Sequence, residues 1–367
     1  MPDLGVRLQL LIGPTVPVPA PYPVMDALMS VEVRNDDRER DGFEMTFSLG
    51  KEPLLDYGLL RDGILDPPNR VTIMVIIGVL PNVLINGVIT KHQLIPSYQP
   101  GQSQLRVTGE DTGLELDFEE KSVTYRNMSD SAIVTRIVGS YGMLPDVAST
   151  TEVPPEVERI TTQQDTDLEF VRKLAERNGF VFYVEPTAVP GRSRAYWGPE
   201  ERSGMPQPAL TYNMGADSNV DYINPGFSAL DPVTPRVAIT EPLTRQSISI
   251  PVPTGFLPSL SGRSPAPLRT TVSRDTANLN LIQGMLRALM AARQAGDAVT
   301  ASAELDAVRY GRALRARRPV DLRGVGNSYN GTWYVKQVTH RIRRGEYKQS
   351  FELRREGLGA ARPGVVV

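Results

Sequence analysis

Gly331-Thr-Trp-Tyr-Val-Lys-Gln-Val-Thr-His340, Arg341-Ile-Arg-Arg-Gly345 and Glu346-Tyr-Lys-Gln-Ser-Phe-Glu-Leu-Arg-Arg355 run consecutively near the end of the chain and decide how the rest is read. In the last segment Tyr347, Gln349, Phe351 and Leu353 fall on one side, and Lys348, Ser350, Glu352 and Arg354 on the other. A period of two is what a half-buried strand requires. The first segment carries Trp333, Tyr334, Val335 and Val338, aromatic and β-branched types that suit a pleated surface. Between them Arg343-Arg344-Gly345 reads as a short polar turn, its glycine free to take a positive φ. The stretch is therefore a β-hairpin, and it predicts a β-rich domain around it.

Working outward, 367 residues bury a sizeable core and predict two or three domains. Lysine plus arginine is 40 against 42 acidic residues, a net charge of -2, so no global basic bias points to nucleic acid. Cysteine is absent, which excludes disulfides, thiol nucleophiles and Cys-ligated zinc. The start, Met1 to Arg7, lacks a basic segment followed by an apolar run, so no signal peptide is expected. The most apolar stretch, Val71 to Leu80, is far short of the roughly 20 residues of a spanning helix, and no membrane insertion is expected.

In chain order, Leu8 to Ile12 reads as a strand, and Pro14, Pro17, Pro19, Pro21 and Pro23 then hold the chain extended without amide donors. This proline segment reads as a surface loop or as an arm laid on a neighbouring subunit. Leu28 to Val33 and Phe43 to Leu49 predict a strand pair around the charged loop Arg34 to Asp41. Val71 to Leu80, Val83 to Thr90 and Gln104 to Gly109 continue as strands, with Pro81-Asn82 and Pro100-Gly101 as turns. Successive strands without helices imply an antiparallel sheet or barrel.

After about residue 115 the pattern changes. Ser129 precedes a helix over Asp130 to Ser140, Pro145 to Pro155 reads as a loop, and Thr166-Asp-Leu-Glu169 has the form of a capping box. Phe170, Val171, Leu174 and Ala175 repeat at helical spacing until Asn178-Gly179, and Phe180 to Val184 follows as a strand. This is a small α/β unit set into a β protein. A second β region opens near Arg236, Ile248 to Pro267 reads as a loop, and Asp275 to Arg293 predicts a helix with the stripe Leu279, Ile282, Met285, Leu286 and Leu289. Val299 to Leu305 alternates as a strand. The expected class is mainly β with an α+β insert: residues 1–115 a first β-barrel, 116–200 the insert, 201–235 a return segment completing the first barrel, and 236–367 a second barrel containing helix 275–293.

The wording of several segments resembles a known family. The hairpin's glycine, aromatic pair, Val-x-x-Val-Thr-His, basic turn, Gly-x-Tyr and Phe-x-Leu-x-Arg are similar to the closing hairpin of contractile-tail hub proteins. These are the late-control D proteins of contractile phages, the baseplate hub of T-even phages and the hub part of type VI valine-glycine-repeat proteins. Asp167-Leu-Glu-Phe-Val-Arg-Lys-Leu-Ala-Glu-Arg-Asn-Gly179, Tyr196-Trp-Gly-Pro199, Tyr212-Asn-Met-Gly215, Asn86-Gly-Val-Ile-Thr90 and Val107-Thr-Gly-Glu-Asp111 also look like family wording, in family order. The resemblance runs from about residue 70 to 358. It implies two tube-like antiparallel β-barrels per chain and a homotrimer forming a ring of six barrels. Such a ring adapts a six-fold tail tube to a three-fold spike in the baseplate of a phage virion tail, tailocin or extracellular contractile injection particle. The implied partners are a spike protein, a tail-tube or tube-initiator protein and other baseplate proteins. The chain stops at Val367, soon after the hairpin, so the spike is expected to be a separate polypeptide. Synthesis is expected in the bacterial cytoplasm.

No catalytic constellation stands out, no cofactor is expected, and the expectation is a structural protein without turnover. His92 and His340 lie on strand-like segments and read as structural or surface histidines. No Gly-x-Ser-x-Gly or His-Glu-x-x-His occurs, and Gly324-Val-Gly326…Gly331 lacks the spacing of a nucleotide loop. Glu119-Glu120 and Glu200-Glu201 imitate a glycosidase dyad, as chance pairs among 42 acidic residues do. Arg309, Arg312, Arg315, Arg317, Arg318 and Arg323 read as a solvated loop or as a contact with an acidic neighbour at a ring interface. Candidate interface residues are Val71, Ile73, Val75 and Ile85 on the apolar strands, Arg312, Arg315, Arg317 and Arg318, and Tyr347 and Phe351. A tail-associated cell-wall hydrolase and a glycan-binding tail module, the latter on Tyr196-Trp197, are the alternatives.

Overall fold

The computed structural model describes residues 5–50, 57–99, 101–150, 153, 161–231, 233–240, 247–250, 259–263, 265–266, 268–273 and 297–361. The helix expected over Asp275 to Arg293 lies outside the described residues. The chain opens with β1 (Val6–Gly13), β2 (Val18–Pro19), helix α1 (Tyr22–Ala27), β3 (Leu28–Asp36), β4 (Gly42–Leu49), α2 (Gly58–Arg61), β5 (Arg70–Ile77), β6 (Leu80–Ile95) and β7 (Ser103–Asp111). The insert follows: a 3-10 turn, Thr112–Asp117, then β8 (Glu120–Tyr125), α3 (Asp130–Ser140), β9 (Leu144–Val147), β10 (Thr161–Thr166), α4 (Asp167–Asn178), β11 (Val181–Pro186) and β12 (Ser193–Gly198). After it come β13 (Gln207–Thr211), β14 (Val220–Phe227), β15 (Val233–Thr240), β16 (Ser247–Ile250), β17 (Ser261–Arg263) and β18 (Arg269–Ser273). The chain closes with β19 (Val299–Asp306), the short α5 (Ala307–Tyr310), β20 (Pro319–Arg323), β21 (Gly331–Arg343), β22 (Glu346–Arg355) and β23 (Leu358–Ala360).

The protein is mainly β, with one 13-stranded sheet in the order β14-β19-β22-β21-β3-β4-β7-β6-β5-β1-β2, to which β20 and β13 attach beside β21. The terminal hairpin organises it, as its alternation predicts. Arg343 pairs with Glu346 across a two-residue loop in which Gly345 takes φ +79. Tyr347, Gln349, Phe351 and Leu353 are all buried. β21 is long enough to serve both halves. Its first part pairs with β20 and its second part with β3, which joins the end of the chain to its beginning.

Two hydrophobic cores result on one sheet. Leu10, Val31, Met45, Phe47, Ile73 and Val107 fill the first, closed at one side by Ile342 and Tyr347 of the hairpin. Val299, Leu305, Trp333, Val335, Phe351 and Leu353 fill the second. Strand β4 shows how directly pattern becomes packing, since Phe43, Met45, Phe47 and Leu49 are buried and the residues between them half-buried. Gly109 lets the Phe43 ring lie flat on the sheet; a Cβ there would sit 2.3 Å from that ring. The insert keeps a third core of its own, including Ile133, Val134, Phe170, Leu174 and Trp197. Ser129 caps α3 by accepting from the Ala132 amide, and Thr166 caps α4 by accepting from Glu169, as the sequence predicts.

Five local expectations change. The turn after β5 is Gly78-Val79, not Pro81-Asn82: Ile77 pairs with Leu80, Gly78 takes φ +64, and Pro81 stands in the exposed start of β6. Leu144–Val147, which runs into the stretch Pro145 to Pro155 read as a loop, pairs in parallel with β12. The proline segment folds back on its own β1 through β2, and Pro21 then precedes α1. Ser247–Ile250, which overlaps the start of the stretch Ile248 to Pro267 read as a loop, and Ser261–Arg263, inside it, are strands. Gln207–Thr211 and Val220–Phe227, read as a return to the first barrel, pair with β20 and β19 of the second half.

Candidate functional site

Three units, the two halves of the sheet and the insert, meet at two buried ionic centres. Arg317 sits just before β20 with φ +67, a left-handed backbone unusual for a residue with a side chain. Its amide donates to Val335 O at 2.7 Å, which holds that turn on β21. The guanidinium then reaches into the first half, where Nη1 donates to Asp41 Oδ2 at 3.1 Å, Nη2 to Asp41 Oδ1, and Nε to the Asp36 carbonyl at 2.8 Å. It lies 4.2 Å from the ring centroid of Tyr183, on β11 of the insert. Asp41 also accepts from Asn35 Nδ2 at 2.8 Å and from the Asp36 amide at 3.0 Å.

Asp111 completes this centre, accepting from the Asp41 amide at 2.8 Å and from Gly113 N at 2.6 Å. Burial, reinforced by the charge of Asp41, pushes the Asp111 carboxyl up to about 7. Burial also raises Asp41, against the pull of Arg317. Burial alone would lower Arg317, but the Asp41 charge and hydrogen bonds hold it above the usual arginine value.

Arg354 of β22 forms the second centre. Its Nη2 donates to Asp37, beyond the end of β3, and to Glu200 at 2.7 Å, and its Nη1 to Asp297 at 2.9 Å. Arg202 donates to Asp297 at 2.8 Å and to Glu200 at 2.9 Å. The Tyr334 ring centroid lies 5.4 Å from the Arg202 guanidinium and 5.0 Å from that of Arg354. Burial raises Glu200 and Asp297, but the arginines outweigh it and hold both carboxyls below the usual range. These centres can lock rigid bodies together; a guanidinium, which keeps its proton at any ordinary pH, is a poor acid–base catalyst.

The sequence-predicted interface residues separate. Val71, Ile73, Val75 and Ile85 are buried in the first core, Tyr347 also belongs to it, and Phe351 lies in the second. Their side chains pack inside one chain. Strand β5 is paired along its length with β1 and β6, so the apolar run is a central strand and not an inter-subunit edge. The arginines scatter as well. Arg312 is exposed, Arg315 donates to Val83 O at 2.7 Å, Arg317 forms the clamp, and Arg318 faces Glu185 at 3.5 Å and Glu201 at 3.9 Å. His340 is buried with Nδ1 2.8 Å from the Tyr347 hydroxyl, and burial and Arg315 push it down to about 3. Among the described residues no three His, Cys, Asp or Glu side chains are placed to hold a metal ion, and no helix is long and apolar enough to cross a membrane.

Free backbone edges lie elsewhere. Over eight consecutive strands, β14-β19-β22-β21-β3-β4-β7-β6, the solvent-facing side carries polar residues such as Ser302, Ser350, Thr46 and Gln104. This run ends in β14 on one side and in the second half of β6 on the other. Among the described residues no strand pairs with the outer edge of β14, and pairing of β6 with β5 stops at Val88. Tyr222 and Phe227 on β14, Leu94 near the end of β6 and Tyr98 three residues past it are exposed. The sequence signal for them was present only as aromatics in strand-like segments, which core strands share.

Comparison with known proteins agrees with this architecture. A tail protein from Neisseria meningitidis superposes with a TM-score of 0.65 at 12% identity, covering 97% of this chain and 98% of that one. The 43 kDa tail protein of prophage MuSo2 from Shewanella oneidensis gives 0.63 at 12% identity, with 96% and 99% coverage. A component of the type VI secretion system of E. coli, described as similar in structure to bacteriophage T4 tail proteins, gives 0.58 at 14% identity, with 93% and 77% coverage. The family model described as the Alg8 N-terminal domain matches residues 43–190. That span begins inside β4 and stops in the β11–β12 turn, so it matches no closed unit of this fold. No curated protein sequence matches the chain. Full-length superposition at low identity establishes architecture, and by its architecture this chain has the fold of these tail and type VI secretion proteins.

Proposed function

We propose that the chain is the structural hub of a contractile tail or injection-particle baseplate, acting as a homotrimeric ring between a tail tube and a spike. The single observation that carries this reading is the pair of unlike free edges, β14 and the second half of β6, closing a polar eight-strand face in a hub-like fold. Unlike edges pair head to tail, and a head-to-tail contact that closes produces a ring. Each edge is also a liability when left open. In this account the clamps at Arg317 and Arg354 make the two halves one rigid body, so load passes through the subunit without turnover. A spike, tube and baseplate proteins are the partners; the tail-protein names of its structural neighbours support that assignment.

The absence of cysteine supplies a clean test. A double variant carrying Asn224→Cys on β14 and Gln93→Cys on β6, treated with a short bis-maleimide in the assembled particle, is expected to give a cross-linked ladder that stops at three chains. Each single variant gives at most a non-ladder product. A ladder ending at two or six chains, or none while the particle forms, overturns the edge assignment.

A further inference from the structure

The other end of the sheet holds a feature that the ring does not use. Strand β1 pairs with β5 along one edge, but on its second edge β2 covers only Leu11 and Ile12. The Leu10 carbonyl accepts from Ala20 on that edge at 2.8 Å. Backbone groups alternate along a strand, so the amides and carbonyls of Leu8 and Val6 point the same way. Among the described residues no backbone group takes them.

Beside this edge lies a groove of about 440 Å³. β1 forms one wall, and the far side is built from α1, β3 and the β21–β22 turn. Val6, Leu8, Met25, Leu28, Val308 and Ile342 make its lining largely apolar, and Val308 is exposed there. A strand added beside β1 would place every second side chain against this lining and the alternate ones toward solvent. The surrounding charge is basic. Arg7 and Arg343 are exposed and have no side-chain partner among the described residues, and Arg344 meets only Asp26, whereas Glu346 is the one acidic residue lining the groove.

We infer that the groove is a β-augmentation site for an extended segment of another protein, alternating apolar and acidic residues. Its apolar side chains enter between β1 and the hairpin turn, and its carboxylates face Arg7 and Arg343. Unpaired main chain supplies the affinity, and the unpartnered guanidiniums select the charge. The site is separate from β14 and β6, so it stands or falls independently of the ring.

The test uses the full chain and two synthetic probes, an eight-residue Glu/Val alternating peptide and its Lys/Val counterpart, with amide hydrogen exchange at Val6 and Leu8 as readout. The acidic peptide is expected to slow exchange at both amides. The double variant Arg7→Glu, Arg343→Glu is expected to weaken its binding on the order of tenfold or more and to favour the lysine peptide. Both substitutions are on exposed side chains; Arg343→Glu stands opposite Glu346, a like-charge pair whose small cost a urea midpoint of the variant checks. Equal protection by both peptides, or none by either, overturns the inference. So does protection that grows with protein concentration alone, which makes a second copy the occupant, or protection already present and lost when residues 1–4 are deleted.

Discussion

The apolar strand Val71 to Ile77 and the arginine stretch Arg309 to Arg323 are opposites in composition, and each behaves differently from its surface appearance in sequence. The apolar strand has the wording of an interface but is the middle of a sheet, paired on both sides and buried. Charged residues in the arginine stretch have the wording of a solvated loop, yet Arg317 is buried and joins all three units. Apolar packing and the pairing of β21 with both halves build one sheet, and buried charge adds a second, directional tie between its cores. A guanidinium saturated by several acceptors accepts only one arrangement, whereas apolar surfaces tolerate sliding.

That contrast can be broken most severely at Arg317. Arg317→Met leaves the Asp41 carboxylate buried without its cation and is expected to cost about 3–5 kcal/mol in urea unfolding. If Asp41→Asn is added, part of this loss should return, because the orphan charge is gone; a double variant as unstable as the single one would show that shape, and not charge, holds the centre. Ile73→Ala removes a fully buried side chain from the first core and should cost about 2–4 kcal/mol by the same assay. A negligible cost at Ile73 would return that strand to the list of interface candidates.

Acidity sharpens the comparison more finely. Asp111, raised by burial and by Asp41 to about 7, is protonated more readily in the folded than in the unfolded chain. Its contribution to stability therefore falls as pH climbs from 3.8 toward about 7. His340, lowered by burial and Arg315 to about 3, does the opposite, and its contribution is lost as pH falls from 6.5 toward about 3. Between 3.8 and 6.5 the two oppose, each with a slope of at most about 1.4 kcal/mol per pH unit. Relative to the parent chain, Asp111→Asn should thus gain stability with rising pH in this window and His340→Gln should lose it. Urea midpoints at both ends of the window read the two slopes, and parallel profiles would show that neither group titrates as placed. Smallest of all, Arg312→Ala is expected to change stability by less than about 0.5 kcal/mol, since its side chain is exposed.

Local order was largely legible in the residues. The alternation of β22 and β4, the Ser129 and Thr166 caps and the Gly179 stop each depend on neighbours a few positions apart, and each is where the spacing puts it. Where a turn signal competed with a pairing demand, pairing won. Pro81 and Pro145 both sit in strands, because a proline near a strand end costs little when its edge lacks a donor requirement. What the sequence could not reveal is the clamp, as Arg317 and Asp41 are 276 positions apart and no local pattern links them. The free edges were equally hidden: a central strand and an edge strand are written with the same residues, and only the sheet order distinguishes β5 from β14.

The most direct test of the hub account is native mass and negative-stain imaging of the purified chain, alone and mixed with the spike protein encoded beside it. The account predicts a three-fold ring, formed by the chain alone or on addition of the spike. A chain that stays monomeric with every tail partner, yet clears peptidoglycan or binds glycans, would contradict it.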